Sequence, residues 1–427
     1  MYMIAHKAIS AAVLLTIAAG LHDGSDGWQE TRCDKPAVIV DIGSSGLTVL
    51  GFQMIGDAPT QKFKSPKVTP GLQDYPQDPA GFAAKAEAGL EAQLVAAAEK
   101  LNCDKPSLFF LATAGMRMVS HDQQDKGYTQ LLNWIRGRRK LQFYFRDDPV
   151  ARTIAGREEA LLEFLTVNTQ HGGLRLTDEG GQTSFIVNSS KILQVLELGG
   201  ASAQVAAMPL RYADAKMGLE SVRNNLIDYS FLQFGWDQAL QWHGGGAKTI
   251  MDHCDPSRGN ISHVPCNLFW AGQANNYHQL DVAGETVGSV PGSKFKIGEA
   301  DRFAISDAVR SAVAYPVAAF KAMLKNLRTL DFLPGPRGDS GTITLSNWTK
   351  STEKLCGTPW PELQAINAET GKDKLPDKFL KTACAMSTYS TQLLDSFGAE
   401  DEQRLLVDFA DNPSWTTGAF IALAVCR

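Results

Sequence analysis

The feature that most constrains the fold is a short sequence pattern that occurs twice. The first copy, AVIVDIGSSGLTVLGF, covers residues 37–52, and the second, KILQVLELGGASAQVAAM, covers residues 191–208. Each copy has an apolar run, an acid, one apolar residue, a glycine, small residues and a second apolar run. Asp41 in the first copy corresponds to Glu197 in the second. The repeat indicates two domains of common ancestry, although unrelated buried hairpins sometimes share so short a pattern.

Strand-like and helix-like segments alternate around the two copies. By apolar periodicity we predict helices over residues 80–101, 129–140, 157–168, 228–242 and 306–327, the last kinked at Pro316. Outside the two copies we predict strands over residues 107–118, ending in a small-residue turn, and over residues 141–147. This alternation is typical of an α/β fold with central sheets.

The beginning of the chain resembles an export signal. His6 and Lys7 precede an apolar run over residues 8–20, which ends in Ala-Ala-Gly, the small residues that a signal peptidase requires. The alternative is a membrane anchor, but the run is shorter than the roughly 20 residues needed to span a bilayer. We therefore predict a signal peptide over residues 1–20, no transmembrane anchor in the mature chain, and a secreted or periplasmic protein.

Seven cysteines fit an oxidising compartment, and none has the CxxC spacing typical of a zinc site. The first predicted pair joins two cysteines that are close in sequence, and the second pair is the next choice. The third joins two cysteines that each precede a strand-like run, and it requires those strands to be parallel neighbours. The predicted pairs are Cys254–Cys266, Cys356–Cys384 and Cys33–Cys103, which leaves Cys426 unpaired.

Composition and missing motifs exclude several functional classes. The formal net charge is -5, so the chain has no basic footprint for nucleic acid, and we expect no nucleic-acid partner. The sequence has no GxxxxGK[ST] phosphate loop and no GxGxxG dinucleotide fingerprint. It also lacks the GxSxG turn that presents a serine nucleophile.

The turns of the two copies, DIGSSG at residues 41–46 and ELGGAS at residues 197–202, suit phosphate. Glycines let successive backbone N–H groups point at one spot, and serine hydroxyls add donors. A carboxylate beside such a site would repel phosphate unless a cation lay between them. The acids therefore imply a divalent metal held through water, as Mg²⁺ often is. One such turn alone is usually only a turn, whereas two with acids in register form a clamp for a polyphosphate.

A third segment supplies candidate bases. The predicted helix that follows Gly156 carries Glu158, Glu159 and Glu163, of which Glu159 and Glu163 share one face. A carboxylate aimed into a phosphate site is suited to take a proton from water. The alternative interpretation is a solvated acidic helix start, which the helix dipole favours.

Taken in order, these segments resemble the ecto-apyrases, the nucleoside triphosphate diphosphohydrolases. The matching segments are VDIGSSGLTV, ATAGMRM, AGREEALLEFLTVN, LELGGASAQV, YSFLQFGWDQAL and SWTTGA, and they span residues 37–419. The resemblance is to a bacterial secreted member. It implies two RNase H-like domains in an actin-like arrangement, with the nucleotide in a central cleft. We place domain I at residues 28–155 plus 408–427, and domain II at residues 156–407.

The resemblance also implies roles for residues at matching positions. Glu159 matches the catalytic base, and Thr113, Ser202 and Gln204 match residues that position the attacking water. Asp41 and Glu197 match the acids that hold the metal through water, with Trp415 beneath the metal. The positions that match phosphate-binding residues are Ser44, Ser45, Gly46, Ala114, Gly200 and Ala201.

The implied activity is release of orthophosphate from nucleoside tri- and diphosphates, with Mg²⁺ or Ca²⁺ as the divalent cation. We expect the protein to be a monomer. Departures from the family pattern concern the metal and the rate. The family usually has Asp at Glu197, a polar residue at Leu47, and Gly and small or aromatic residues at Ala160 and Glu163.

The base-binding region matches the family poorly. Trp348 and Tyr389 are candidates to stack on a base, and Lys381 is a candidate to contact base or ribose. The alternatives are buried core aromatics and a surface lysine.

Two other functions fit the same turns. An exopolyphosphatase or guanosine pentaphosphatase shares similar glycine turns, but the GGASAQ turn and the FLQFGWDQA segment favour the apyrase assignment. A non-catalytic, actin-like nucleotide-binding protein is the other alternative, and the predicted export argues against it. Phosphate release from ATP, ADP and long-chain polyphosphate distinguishes the three.

Overall fold

The computed structural model describes residues 34–426 except 44–45, 70, 73–78, 104, 147, 180–181, 210–214, 233, 238–278, 283–284, 289–312, 335–339, 398 and 411–412. The predicted signal peptide, Cys33, Ser44, Ser45 and the Cys254–Cys266 pair lie outside the described residues. Among the helices described, none combines the length and apolarity required to cross a membrane. The predicted domain boundaries stay a prediction.

The first copy of the repeat forms the centre of a five-stranded sheet. Its strands are β1 (Asp34–Gly43), β2 (Gly46–Ile55), β3 (Ala58–Lys64), β4 (Ser107–Ala112) and β5 (Val150–Thr153). The spatial order is β3-β2-β1-β4-β5, with β1 antiparallel to β2 and parallel to β4. Alternate residues of β1 enter different cores: Val38 and Val40 pack on one face and Ala37 and Ile39 on the other. Because both faces are buried, the strand is a continuous apolar run.

The second copy forms the centre of an eight-stranded sheet. The next strands in the chain are β6 (Leu174–Glu179), β7 (Gln182–Val187), β8 (Gln194–Leu198), β9 (Ser202–Ala207), β10 (Lys216–Met217) and β11 (Ile227–Leu232). They are followed by β12 (Gln279–Val282), β13 (Glu285–Gly288), β14 (Ala314–Val317), β15 (Ser340–Thr344) and β16 (Arg404–Asp408). Strands β10, β7 and β6 form a separate small sheet, and the large sheet has the order β12-β13-β11-β9-β8-β14-β16-β15.

The same topology therefore occurs twice. Within the large sheet, β11-β9-β8-β14-β16 repeats the order of the first sheet. The directions also agree, because β8 is antiparallel to β9 and parallel to β14, which is parallel to β16. The predicted α/β fold with central sheets is confirmed, and each sequence copy is the central hairpin of its sheet.

Helices cover the faces of the sheets. They are α1 (Pro79–Leu101), α2 (Ala114–Arg117), α3 (His121–Arg136), α4 (Arg139–Tyr144), α5 (Gly156–Gln170), α6 (Leu219–Asn225), α7 (Ala318–Thr329), α8 (Leu345–Gly357), α9 (Trp360–Glu369), α10 (Asp377–Ser396) and α11 (Trp415–Phe420). A 3₁₀ turn, Gly371–Asp373, precedes α10, and a π-helix, Ile421–Val425, continues α11. Helices α1 and α5 confirm the predictions for residues 80–101 and 157–168.

Three predicted elements are wrong in whole or in part. Residues 228–232, the first part of the helix predicted over 228–242, lie in β11 and pair with β9. Residues 141–144, the first part of the strand predicted over 141–147, belong to α4. The predicted kinked helix at 306–327 is strand β14 followed by α7 where it is described. Pro316 does not kink a helix: it lies in β14 after Ala314, the residue that pairs with β16, so its missing N–H falls where that ladder has ended.

Helix α5 is buried along most of its length and meets α11 directly. Thr166 in α5 donates its hydroxyl to the carbonyl oxygen of Ser414 (2.9 Å) and accepts from the N–H of Gly418 (2.8 Å). A Cβ atom at Gly418 would lie 1.9 Å from the carbonyl oxygen of Leu162. The two helices thus approach as closely as their backbones allow, which fixes the position of α5.

A disulfide between Cys356 and Cys384 joins α8 to α10 across 28 residues, as predicted. Cys426 is a free thiol, also as predicted. Cys103 is disulfide-bonded, whereas its predicted partner Cys33 is not described.

Replacing both Cys356 and Cys384 by Ala is expected to lower the free energy of unfolding by about 2–4 kcal/mol, because a cross-link over a loop of this size restricts the unfolded chain. Urea denaturation without reductant measures the loss. Cys426→Ala is the matched control, with an expected change below about 1 kcal/mol. Equal stability of the double variant and the wild type would contradict the prediction.

Candidate active site

The two repeat acids occupy equivalent positions at the ends of equivalent strands. Asp41 lies near the end of β1 and is paired with Thr48, and Glu197 lies near the end of β8 and is paired with Gln204. Their carboxylates are close enough that the charge of Asp41 raises the pKa of Glu197. The two hairpins therefore bring their acids to one site, as the repeat predicts.

Helix α5 supplies two more carboxylates to this site. Glu159 and Glu163 are 4% and 3% exposed. Glu158 instead pairs with Arg152 of β5 (2.7 Å). The predicted shared face of Glu159 and Glu163 is therefore confirmed. These two glutamates join the two repeat acids in one group of four, Asp41, Glu159, Glu163 and Glu197, which we call the acid cluster.

A hydrogen-bond network fixes Glu159. Its Oε2 accepts from Arg117 Nη1 (2.8 Å) and from Gln204 Nε2 (3.0 Å). Ser202 Oγ accepts from Arg117 Nη2 (3.0 Å) and from Gln204 Nε2 (2.7 Å). A serine hydroxyl has two lone pairs and one proton, so Ser202 keeps its O–H for donation to another group. Ser202 and Gln204, both predicted to position water, are thus joined to the predicted base.

Arg117 is the member of this network that sequence reasoning missed. Its side chain is 6% exposed and forms an ion pair with Glu159. Arginine is rarely buried unless it is paired. An arginine in the ATAGMR segment, next to a predicted buried strand, therefore indicates a buried acidic partner, and this was the signal in the sequence. One guanidinium group therefore contacts both Glu159, the predicted base, and Ser202, which is predicted to position water.

The small-residue turns approach one another at the same place. Thr113 precedes α2 and is 9% exposed, and Ala114 packs against Ala201 and Leu232. This contact brings the ATAG turn of the first sheet against the GGAS turn of the second.

Each of the two loops is held by backbone contacts. In the second turn, the carbonyl oxygens of Gly199 and Gly200 accept from the N–H groups of Trp236 (2.9 Å) and Asp237 (2.8 Å). In the first loop, Gly46 has φ 153° and a Cβ there would lie 2.5 Å from the carbonyl oxygen of Val68, so only glycine fits. Its neighbours Ser44 and Ser45 are outside the described residues.

The electrostatics of the acid cluster favour a cation. Burial raises the pKa of Asp41 to about 7, and Glu159 adds to this rise while Lys67 and Lys64 oppose it. Burial raises the pKa of Glu163 to about 8, with further contributions from Glu159 and Asp41. The pKa of Glu197 is raised by burial first and then by Glu159 and Glu163, against Arg117. Carboxylates buried together repel one another unless they are protonated or neutralised by a positive charge.

Two buried carboxylate oxygens indicate whether a divalent cation fits this site. Glu163 Oε2 and Glu197 Oε2 are buried without a hydrogen-bond partner in the described part of the chain. Such oxygens are the donors that Mg²⁺ and Ca²⁺ prefer, so these residues fit the ion. Within the described ranges no three His, Cys, Asp or Glu side chains are arranged to hold a metal directly.

The remaining predicted site residues divide into two groups. Trp415 is buried beside the acid cluster, and its backbone N–H donates to Glu163 Oε1 (2.9 Å). Trp348 is fully buried and donates its indole N–H to Ser387, and Tyr389 is 2% exposed and donates its hydroxyl to the carbonyl oxygen of Phe234. Lys381 lies half-buried on α10. Trp348 and Tyr389 therefore belong to the buried core, and the structure gives no support to stacking of a base on either of them.

Fold and site together define an α/β protein that has a cluster of buried carboxylates and two glycine turns, an arrangement suited to a phosphohydrolase. Residues 29–280 match the GDA1/CD39 (nucleoside phosphatase) family, and the chain belongs to that family.

Similar proteins support this family assignment. The chain is 25% identical to "Probable apyrase 5" of Arabidopsis thaliana, with 99% of this chain and 88% of the relative covered. It is 24% identical to "Ectonucleoside triphosphate diphosphohydrolase 1" of Rattus norvegicus, over 90% of this chain and 78% of the relative. Among solved structures, nucleoside triphosphate hydrolases from Neospora caninum align with TM-score 0.58 and 14% identity over 93% of this chain and 94% of theirs.

Family membership identifies the chain as a hydrolase of nucleoside phosphates, and the exopolyphosphatase alternative is not favoured. The structural likeness confirms the expected fold of two RNase H-like domains in an actin-like arrangement.

Proposed function

We propose that this chain releases orthophosphate from nucleoside tri- and diphosphates, with Glu159 as the general base. The observation that carries the proposal is the fixed orientation of Glu159, whose Oε2 accepts from both Arg117 and Gln204. A buried carboxylate held between two donors, beside two glycine turns, is arranged to act on a water rather than to stabilise the fold.

The proposed reaction is a single in-line displacement. In this proposal the phosphates bind to the first loop (Ser44, Ser45 and Gly46), to the second (Gly200 and Ala201), and to Ala114, which packs against Ala201. Ser202, Gln204 and Thr113 orient a water, and Glu159 takes its proton as the water oxygen bonds to the terminal phosphorus. The bond from that phosphorus to its bridging oxygen breaks, and orthophosphate leaves. Backbone N–H groups of the loops stabilise the charge on the transferred phosphoryl group.

Asp41 and Glu197 would hold a Mg²⁺ or Ca²⁺ ion through water, and Trp415, whose N–H donates to Glu163, would line the same site. When bound, the ion supplies positive charge to the phosphate oxygens. The orphaned oxygen of Glu197 supports this assignment, as does the rise in the pKa of both acids.

We also propose that the protein acts outside the cytoplasm as a monomer. The Cys356–Cys384 disulfide supports an oxidising compartment, since structural disulfides are rare in reducing ones. The predicted signal over residues 1–20 supports export.

A phosphate-release assay over a nucleotide panel tests the function. We expect release from ATP and ADP in Mg²⁺ or Ca²⁺, none in excess chelator, and little from long-chain polyphosphate. Preferential release from polyphosphate would favour the exopolyphosphatase alternative. Stoichiometric binding without turnover would favour a non-catalytic nucleotide-binding protein.

Arg117→Gln is expected to lower kcat about 10²-fold, because it removes a preorganised donor from both Glu159 and Ser202. Arg117→Lys should lose less, since it retains the charge without the two-pronged geometry. Steady-state kinetics with ATP measures both. Arg223→Gln, which disrupts an exposed pair with Glu220, is the control for loss of one positive charge. A kcat of Arg117→Gln within twofold of the control would contradict the role.

A further inference from the structure

Glu163 is a buried acid that the proposed reaction does not use. It lies one helical turn after Glu159 on the same face of α5 and is 3% exposed. Its Oε1 accepts from the backbone N–H of Trp415 (2.9 Å), whereas its Oε2 is buried without a hydrogen-bond partner in the described residues. The hydrogen bond from Trp415 uses only Oε1. That contact therefore does not explain why the second carboxylate oxygen is buried among other acids.

The surroundings of that oxygen are negative. Glu163 shares the acid cluster with Asp41, Glu159 and Glu197, and each of the other three is close enough to interact electrostatically with it. Arg117 forms its ion pair with Glu159. A buried carboxylate oxygen without a partner costs free energy that a nearby cation or its waters would offset. The position therefore has the features of a cation-binding carboxylate.

We propose that Glu163 is a third carboxylate that holds the water shell of the divalent cation, together with Asp41 and Glu197. The inference rests on the proposed cation site and extends it. It also accounts for a departure in the sequence, because the family usually has a small or aromatic residue at this position. In this chain the cation would be held by one more negative charge than Asp41 and Glu197 provide.

The substitution that tests this is Glu163→Gln. The amide oxygen of Gln accepts the Trp415 N–H as the carboxylate does, so the contact with α11 remains while the charge is lost. Removing an outer partner of a metal site typically weakens metal binding by about 10- to 100-fold. We expect a loss of that size in Mn²⁺ affinity, measured on the protein without nucleotide by electron paramagnetic resonance of the free ion. Glu158→Gln removes one charge from the same helix outside the cluster and should leave the affinity unchanged.

A second variant guards against misfolding. Glu163→Ala inserts a small residue, as the family usually has here, and should show the same loss of Mn²⁺ affinity. Thermal unfolding is measured for all variants. A purely structural role predicts that Glu163→Gln binds Mn²⁺ like the wild type, which would overturn the inference, as would a wild type that binds no Mn²⁺. If nucleotides are not hydrolysed but Mn²⁺ affinity falls in both variants, the proposed function fails and this inference stands.

Discussion

Glu159→Gln is expected to lower kcat for ATP hydrolysis about 10³-fold while nucleotide binding is retained. The substitution keeps the size of the side chain and an oxygen that accepts from Arg117 and Gln204, but an amide cannot take a proton from water. General bases contribute about 10²- to 10⁴-fold to a rate. Single-turnover phosphate release measures the chemical step, and equilibrium binding of a fluorescent ATP analogue measures the affinity.

Glu158→Gln is the matched control, because this neighbouring acid pairs with Arg152 and lies outside the acid cluster. Its kcat should stay within about threefold of wild type. If Glu159→Gln turned over ATP at a comparable rate, the base would have to be another carboxylate of the cluster.

Gly418→Ala is expected to destabilise the fold by about 3–5 kcal/mol, or to prevent folding. The added Cβ would lie 1.9 Å from the carbonyl oxygen of Leu162 and 2.6 Å from its carbonyl carbon, and backbone atoms yield less readily than side chains. The N–H of Gly418 would also be displaced from Thr166. Because α5 carries Glu159, kcat should fall as well. Thermal unfolding and soluble yield measure the effect.

The control for this substitution is Gly357→Ala at the end of α8, where a Cβ meets no atom within 4 Å. Its stability should change by less than about 1 kcal/mol. A Gly418→Ala protein as stable as this control would show that α5 and α11 separate easily, contrary to the close approach described above.

Features with strong local signals could be predicted from the sequence. The repeated pattern located both central hairpins, because an acid and a glycine between two apolar runs mark a buried strand pair. Helix α5 followed from its periodicity, and this placed Glu159 and Glu163 on one face. The roles of the site residues stay predictions until the substitutions above are measured.

Other features depended on tertiary contacts that local patterns do not contain. Residues 227–232 form a short run that mixes apolar residues with Asp228 and Ser230, and such a run fits either period until its partner β9 is known. Helix α4 leaves Phe143 72% exposed, so its aromatic composition misleads when taken as a strand signal. Arg117 was missed because its carboxylate and hydroxyl partners, Glu159 and Ser202, lie far away along the chain.

The contacts between α5 and α11 have a consequence for how the protein is made. Trp415 lies 252 residues after Glu163, and Ser414 lies 248 residues after Thr166. During synthesis, α5 therefore emerges long before the segment that covers it. Its apolar side chains stay partly exposed until that segment has been made. Closing so large a loop is also slow. We expect the nascent protein to stay inactive, and dependent on chaperones, until residues 415–425 have been released from the ribosome.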